Sequence, residues 1–126
     1  MIDHISIAVR DLKAAEQFYT TLLAPLGMTK LREWPDAAIG YGKKYPEFWI
    51  NRRLNMPALP DDSGTHIALR AVDAAAVDGF HAAALANGGE TDGAPGFRKK
   101  YNPRYYAAFV RDPDGNRIEA VTFIEA

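Results

Sequence analysis

Asp3-His4-Ile5-Ser6-Ile7-Ala8-Val9 and Thr65-His66-Ile67-Ala68-Leu69-Arg70-Ala71 run in step at an offset of 62 residues. Without a gap, the same offset sets Asp11 on Asp73, Phe18 on Phe80, Leu23 on Leu85 and Gly27 on Gly89. Apolar residues alone match easily by chance; matched histidine, aspartate and glycine mark an internal repeat. Each copy has the same local order. Ile2 to Val9 alternates and is rich in β-branched residues, as a strand should be. Asp11 is placed to cap a helix, because its carboxylate accepts from otherwise unpaired backbone N–H groups. Leu12, Ala15, Phe18, Tyr19, Leu22 and Leu23 then make one apolar stripe, and Gly27 stops the helix. In the second copy Asp73 caps, and Ala76, Val77, Phe80, Ala84 and Leu85 form the stripe, with His81 beside it.

Three strand candidates follow each helix. They are Met28 to Glu33, Ala37 to Tyr41 and Glu47 to Arg52 in the first copy. In the second they are Glu90 to Asp92, Tyr105 to Arg111 and Arg117 to Ile124. The expected class is α+β, built from two tandem βαβββ modules over residues 1–54 and 64–126. The Pro- and Asp-containing stretch 55–63 is the linker. About 60 residues alone bury a marginal core, so the modules form one domain. Pro95 to Arg104 reads as a basic loop over one end of a sheet.

Composition narrows the function. A net charge of −1 leaves no basic footprint for nucleic acid. No run of 18 apolar residues is present, so no membrane span is expected. Met1 to His4 does not open a signal peptide, and a cytoplasmic setting is expected. Without cysteine, any metal must be held by imidazole or oxygen donors.

Alternation sends Ile5, Ile7 and Val9 toward the helices and His4, Ser6 and Ala8 to the opposite face. The second copy repeats this with His66, Ala68 and Arg70. Asp112-Pro113-Asp114-Gly115-Asn116 is a strong turn signal. A turn centred on Asp114 sets Phe109 opposite Glu119, Ala107 opposite Val121 and Tyr105 opposite Phe123. Glu119 then lies in an apolar strand and needs a partner, because an unpaired buried charge is costly. Arg70 is one candidate. A divalent cation held by His4, His66 and Glu119 is the other, and Zn²⁺, Mn²⁺, Ni²⁺ and Fe²⁺ all suit that donor set.

These motifs, with the Phe18-Tyr19 pair and Arg117-Ile118-Glu119 after the turn, resemble the vicinal oxygen chelate superfamily. It includes glyoxalase I, fosfomycin-resistance thiol transferases, extradiol dioxygenases and bleomycin-binding proteins. The resemblance spans essentially the whole chain. It implies a cupped eight-stranded mixed sheet with helices on its outer face, a metal inside and a homodimer. Glyoxalase I-like enzymes carry a fourth, carboxylate ligand on the last strand of the first module. Matching Phe48-Trp49-Ile50-Asn51 to Arg117-Ile118-Glu119-Ala120 puts Trp49 nearest that position, with Glu47 as a weak candidate for fourth ligand or base. Similarity to the thiol transferases implies substrate contacts from Ser6, Trp49, Phe109 and Lys99, and glutathione or another thiol as co-substrate. Trp49 and Tyr105 would form an apolar wall, while Asn51 and Arg70 orient polar groups. Arg98, Lys99 and Lys100 would attract an anion over the mouth.

Two functions remain open on these residues. One is a metal-dependent lyase, isomerase or thiol transferase acting on a small oxygenated molecule. The other is a non-catalytic protein that sequesters a small molecule in the same cup. An extradiol dioxygenase ranks below both, since the only spare histidine, His81, is expected on a helix outside the cup.

Overall fold

The computed structural model describes residues 1–125. The chain runs β1 (Ile5–Val9), α1 (Leu12–Leu23), a 3-10 turn (Ala24–Leu26), β2 (Thr29–Trp34), β3 (Ala38–Gly42) and β4 (Phe48–Arg52). It continues through β5 (Ile67–Arg70), α2 (Ala74–Ala86), β6 (Glu90–Phe97), β7 (Tyr105–Arg111) and β8 (Arg117–Phe123). The two βαβββ modules are therefore present. Their strands form two four-stranded sheets, in the orders β1-β4-β3-β2 and β5-β8-β7-β6, instead of one continuous sheet of eight. In each, the first strand of the module lies parallel to the last. A parallel pair needs a long connection, which the helix and the two intervening strands supply.

Both helices start at the aspartates the repeat singles out. Asp11 accepts from the Ala14 amide and Asp73 from the Ala76 amide. Their stripes enter one core shared with the inner faces of both sheets, where Phe18, Tyr19, Leu22, Phe48, Ile50, Val77, Phe80 and Ile118 are all but inaccessible. Burying each large side chain contributes roughly 1.5–3 kcal/mol, so this shared core holds the modules together. Leu85 departs from the expected stripe: it is half exposed. Gly89 shows why the helix end packs closely, since a Cβ there would lie 2.8 Å from the Arg111 carbonyl oxygen and 2.9 Å from Phe18.

Polar ties reinforce the junction. Tyr19 of α1 donates to Asp112 of the β7–β8 turn at 2.5 Å, and both side chains are buried. Arg10 reaches Asp114 at 3.0 Å, and Asn116 donates to the Ala8 carbonyl at 2.9 Å. The turn sequence thus both reverses the chain and clamps the first module. Burial pushes the Asp112 carboxyl above its usual value, while its bonds from Tyr19 and Asn116 pull the other way.

β6 is longer than expected and takes in Pro95, Gly96 and Phe97, so the basic loop begins only at Arg98. The sheet order makes β6 an edge strand, where a proline costs no ladder bond. Register shifts around Gly93 hide its alternation. Among the described residues, no helix is long and apolar enough to cross a membrane.

Candidate functional site

Both sheets turn one face to the core and leave the other open. On the second sheet, β8 pairs with β5 so that Ala68 faces Glu119, and with β7 so that Phe109 faces Glu119. The expected pairings of Ala107 with Val121 and Tyr105 with Phe123 are also found. Glu119 is 1% exposed, at the floor of this face. His66, directly before β5, brings its Nε2 to 3.0 Å from Glu119 Oε1. Tyr105 donates its hydroxyl to Glu119 Oε2. Both carboxylate oxygens are therefore engaged by titratable groups. Burial first, and then Glu119, push the Tyr105 hydroxyl up to about 12, so at neutral pH it remains a donor. His66 keeps 49% of its side chain exposed. Its ring lies 6.1 Å from that of Phe109, and the Tyr105 ring packs edge-on to Phe123 at 5.4 Å.

The first sheet carries different chemistry at equivalent places. Ser6 pairs with Trp49 as Ala68 pairs with Glu119, so Trp49 is the strict counterpart of Glu119. The four-residue match of Phe48-Trp49-Ile50-Asn51 is therefore to Ile118-Glu119-Ala120-Val121, one residue later than the sequence match. The Trp49 indole donates to the Pro46 carbonyl and covers Gly40, where a Cβ would come within 2.9 Å of the ring. Asn51 donates to the Ser6 hydroxyl at 2.8 Å and to the Ile7 carbonyl at 2.9 Å. Glu47 is exposed; it lines a crevice with Lys43, Ile5, Phe48, Leu69 and Arg70, apart from the His66–Glu119 pair. His4 is likewise exposed, with its Nδ1 2.6 Å from Asp3, and Asp3 also accepts from Tyr45 at 2.6 Å. The Tyr45 bond, followed by that of His4, holds the Asp3 carboxyl below its usual value. His81 bonds Thr91 at 2.7 Å, a structural role on α2.

Of the three expected metal donors, the chain thus joins two. Among the described residues no group of three or more histidine, aspartate or glutamate side chains stands together. The 3.0 Å between His66 Nε2 and Glu119 Oε1 matches two adjacent ligands about 2.1 Å from a six-coordinate cation, and falls about 0.4 Å short of the spacing around a tetrahedral one. A metal site built on this pair would need a third donor from elsewhere. Of the residues expected at the substrate, Tyr105, Phe109 and Arg70 lie on the Glu119 face, the last with its guanidinium 5.0 Å over the Phe123 ring. Ser6, Trp49 and Asn51 lie on the first sheet. Lys99 is exposed in the turn after β6.

Two contacts escaped the sequence. The Tyr105 hydroxyl bond to Glu119 joins residues that are not directly opposite, and only same-face alternation along β7 and β8 hinted at it. Arg98 folds back onto the face, its guanidinium 5.3 Å over Phe109.

The Glyoxalase/Bleomycin resistance protein/Dioxygenase superfamily model matches residues 1–120. A glyoxalase/bleomycin resistance protein from Albidiferax ferrireducens is 33% identical, with a TM-score of 0.82 over 96% of this chain and 98% of that one. A fosfomycin resistance protein from Mesorhizobium loti shares the fold at 17% identity, with a TM-score of 0.69 over 98% and 92% of the two chains. A glyoxalase I mutant from Zea mays, 22% identical, superposes with a TM-score of 0.70 over 94% of this chain and 44% of its own. Comparison with curated proteins finds no match. The chain belongs to the glyoxalase/bleomycin resistance/dioxygenase superfamily, within the vicinal oxygen chelate group.

Proposed function

We propose that the chain is a glyoxalase-like enzyme, a lyase, isomerase or thiol transferase, acting on a small oxygenated molecule at the open face of the second sheet. The observation that carries this reading is Glu119, a carboxylate at 1% exposure engaged on both oxygens by His66 and Tyr105. Burying a carboxylate is costly even when it is well bonded. A strand needed only for stability would carry an apolar residue there, as the first sheet does at Trp49. With Nε2 engaged by Glu119, His66 keeps Nδ1 free to exchange a proton with a substrate lying on the face. Tyr105 fixes the other carboxylate oxygen. Phe109 and Phe123 pack beside it, against the His66 and Tyr105 rings.

A divalent cation, when bound, supplies Lewis-acid polarisation of the substrate oxygens. His66 and Glu119 would hold it together with a further donor from outside the pair, and the working unit in this reading is a homodimer. A thiol such as glutathione is the co-substrate if the reaction is a transfer, and the setting is cytoplasmic.

One observation favours a second reading. Both Glu119 oxygens are bonded by His66 and Tyr105 alone, an arrangement that suits a sequestering protein. A panel of methylglyoxal hemithioacetal and epoxide–thiol pairs, run with elemental analysis of the purified protein, separates the two. Turnover that Glu119→Gln abolishes supports the enzyme. Tight ligand binding without turnover, undiminished in His66→Ala, overturns it.

A further inference from the structure

Two guanidinium groups flank the Glu119 floor. Contacts run in an arc from Arg98 through Phe109 and His66 to Glu119, and on through Tyr105 and Phe123 to Arg70. Arg98 is half-buried and fastened by neutral groups: Nη1 donates to the Gly96 carbonyl at 2.9 Å and Nη2 to the Ala94 carbonyl at 2.7 Å. Its backbone N–H donates to the Tyr105 carbonyl at 2.8 Å, which ties it to the residue that holds Glu119. Arg70 leaves β5 on the same face as His66 and rests on Phe123. The arginine ion pairs of the described chain involve Arg10, Arg104, Arg111 and Arg117. Among the described residues, neither Arg70 nor Arg98 forms an ion pair with a carboxylate. The arc sets two guanidinium groups beside the single carboxyl group of Glu119, and both are held in place by stacking on rings.

We propose that Arg70 and Arg98 select an anionic substrate, a small molecule bearing a carboxylate, for the Glu119 face. Arg70, stacked on Phe123, keeps its N–H edge oriented for a carboxylate, while Arg98 is fixed by its two carbonyl bonds and offers its remaining N–H groups, so in both less entropy is lost when the bond forms. The bond is charge-assisted, and therefore stronger than one between neutral groups. The substrate's charge would meet the arginines at the rim while its reacting carbon lies toward His66 and Glu119. The inference rests on the reading of this face as the reaction site.

Calorimetric titration of the full chain with malonate and with neutral malonamide tests it. Wild-type protein should bind malonate at least about tenfold more tightly than malonamide. Arg70→Gln and Arg98→Gln should each weaken malonate about tenfold, with malonamide unchanged. Arg70 is exposed and fastened only by its ring, so Arg70→Gln keeps the test decisive if the Arg98 variant folds poorly. Glu119→Gln should abolish turnover without weakening malonate. Malonate that binds no better than malonamide, or that ignores Arg70→Gln, overturns the selection even if a neutral substrate is turned over. Malonate binding that follows the arginines with no turnover of any compound leaves the selection standing and removes the enzyme.

Discussion

The two sheets share one plan and present opposite surfaces. On the first, Trp49 lies over Gly40 and bonds Pro46, and Ser6 is tied to Asn51, so these polar groups are answered within their own module. On the second, the same position carries Glu119, clamped by His66 and Tyr105 and flanked by two arginines on aromatic rings. Alternation along a strand makes this possible. Inward residues such as Ile50 and Ile118 keep the backbone in place, while outward ones are free to diverge. A duplicated scaffold can therefore keep a single reactive face, and the fold alone does not say which.

The contrast breaks most readily at its centre. Glu119→Gln should lower turnover by roughly 10²–10⁴-fold, as loss of an acid–base group does, whereas Trp49→Phe should leave it within an order of magnitude. Equal losses in steady-state kinetics would show that both faces share the chemistry. Next comes the clamp between modules. Asp112→Ala leaves the buried Tyr19 hydroxyl unpaired and should cost about 2–3 kcal/mol in urea unfolding. Loss of less than half a kcal/mol, on the order of a surface substitution, would mean that the core alone joins the modules.

The same carboxyl gives a pH signature. Its folded-state pKa is raised from 3.8, so the folded chain binds the proton more tightly than the unfolded one. Its contribution is greatest below pH 3.8 and falls as pH rises through the raised value. The stability of wild type relative to Asp112→Asn should therefore decline over that window, and a rising difference would contradict burial as the dominant cause. Tyr105→Phe removes one donor from Glu119 and should reduce turnover about tenfold with little change in unfolding midpoint. The smallest effects should be equal ones. Asp11→Ala and Asp73→Ala remove equivalent caps and should each cost about 1 kcal/mol. Unequal costs would show that the modules differ in scaffold as well as in face.

Much of this was legible in the residues. The β7–β8 register followed from Asp112 to Asn116, because turn chemistry fixes which residues face one another and a slip of one would invert the faces. The pairing of β5 with β8 brought His66 to Glu119, as the repeat and the alternation implied. His4 was beyond reach for a physical reason. Its meeting with the other two donors depends on how two separate sheets are set, and periodicity within a strand carries no information about that. The division into two sheets was hidden likewise. β6 was underread because Gly93, Pro95 and Gly96 carry no hydrophobic alternation on an edge strand. Arg98 was visible only as a loop charge, since its approach to Phe109 comes from hydrogen bonds to the Ala94 and Gly96 carbonyls.

The most direct measurement is the position of bound product in a crystal soaked with whichever compound the protein turns over. We expect the product against Glu119, His66 and Tyr105, with its charged end toward Arg70 or Arg98. A product resting on the Trp49 face, out of reach of those three side chains, would contradict the assignment of the second sheet as the working surface.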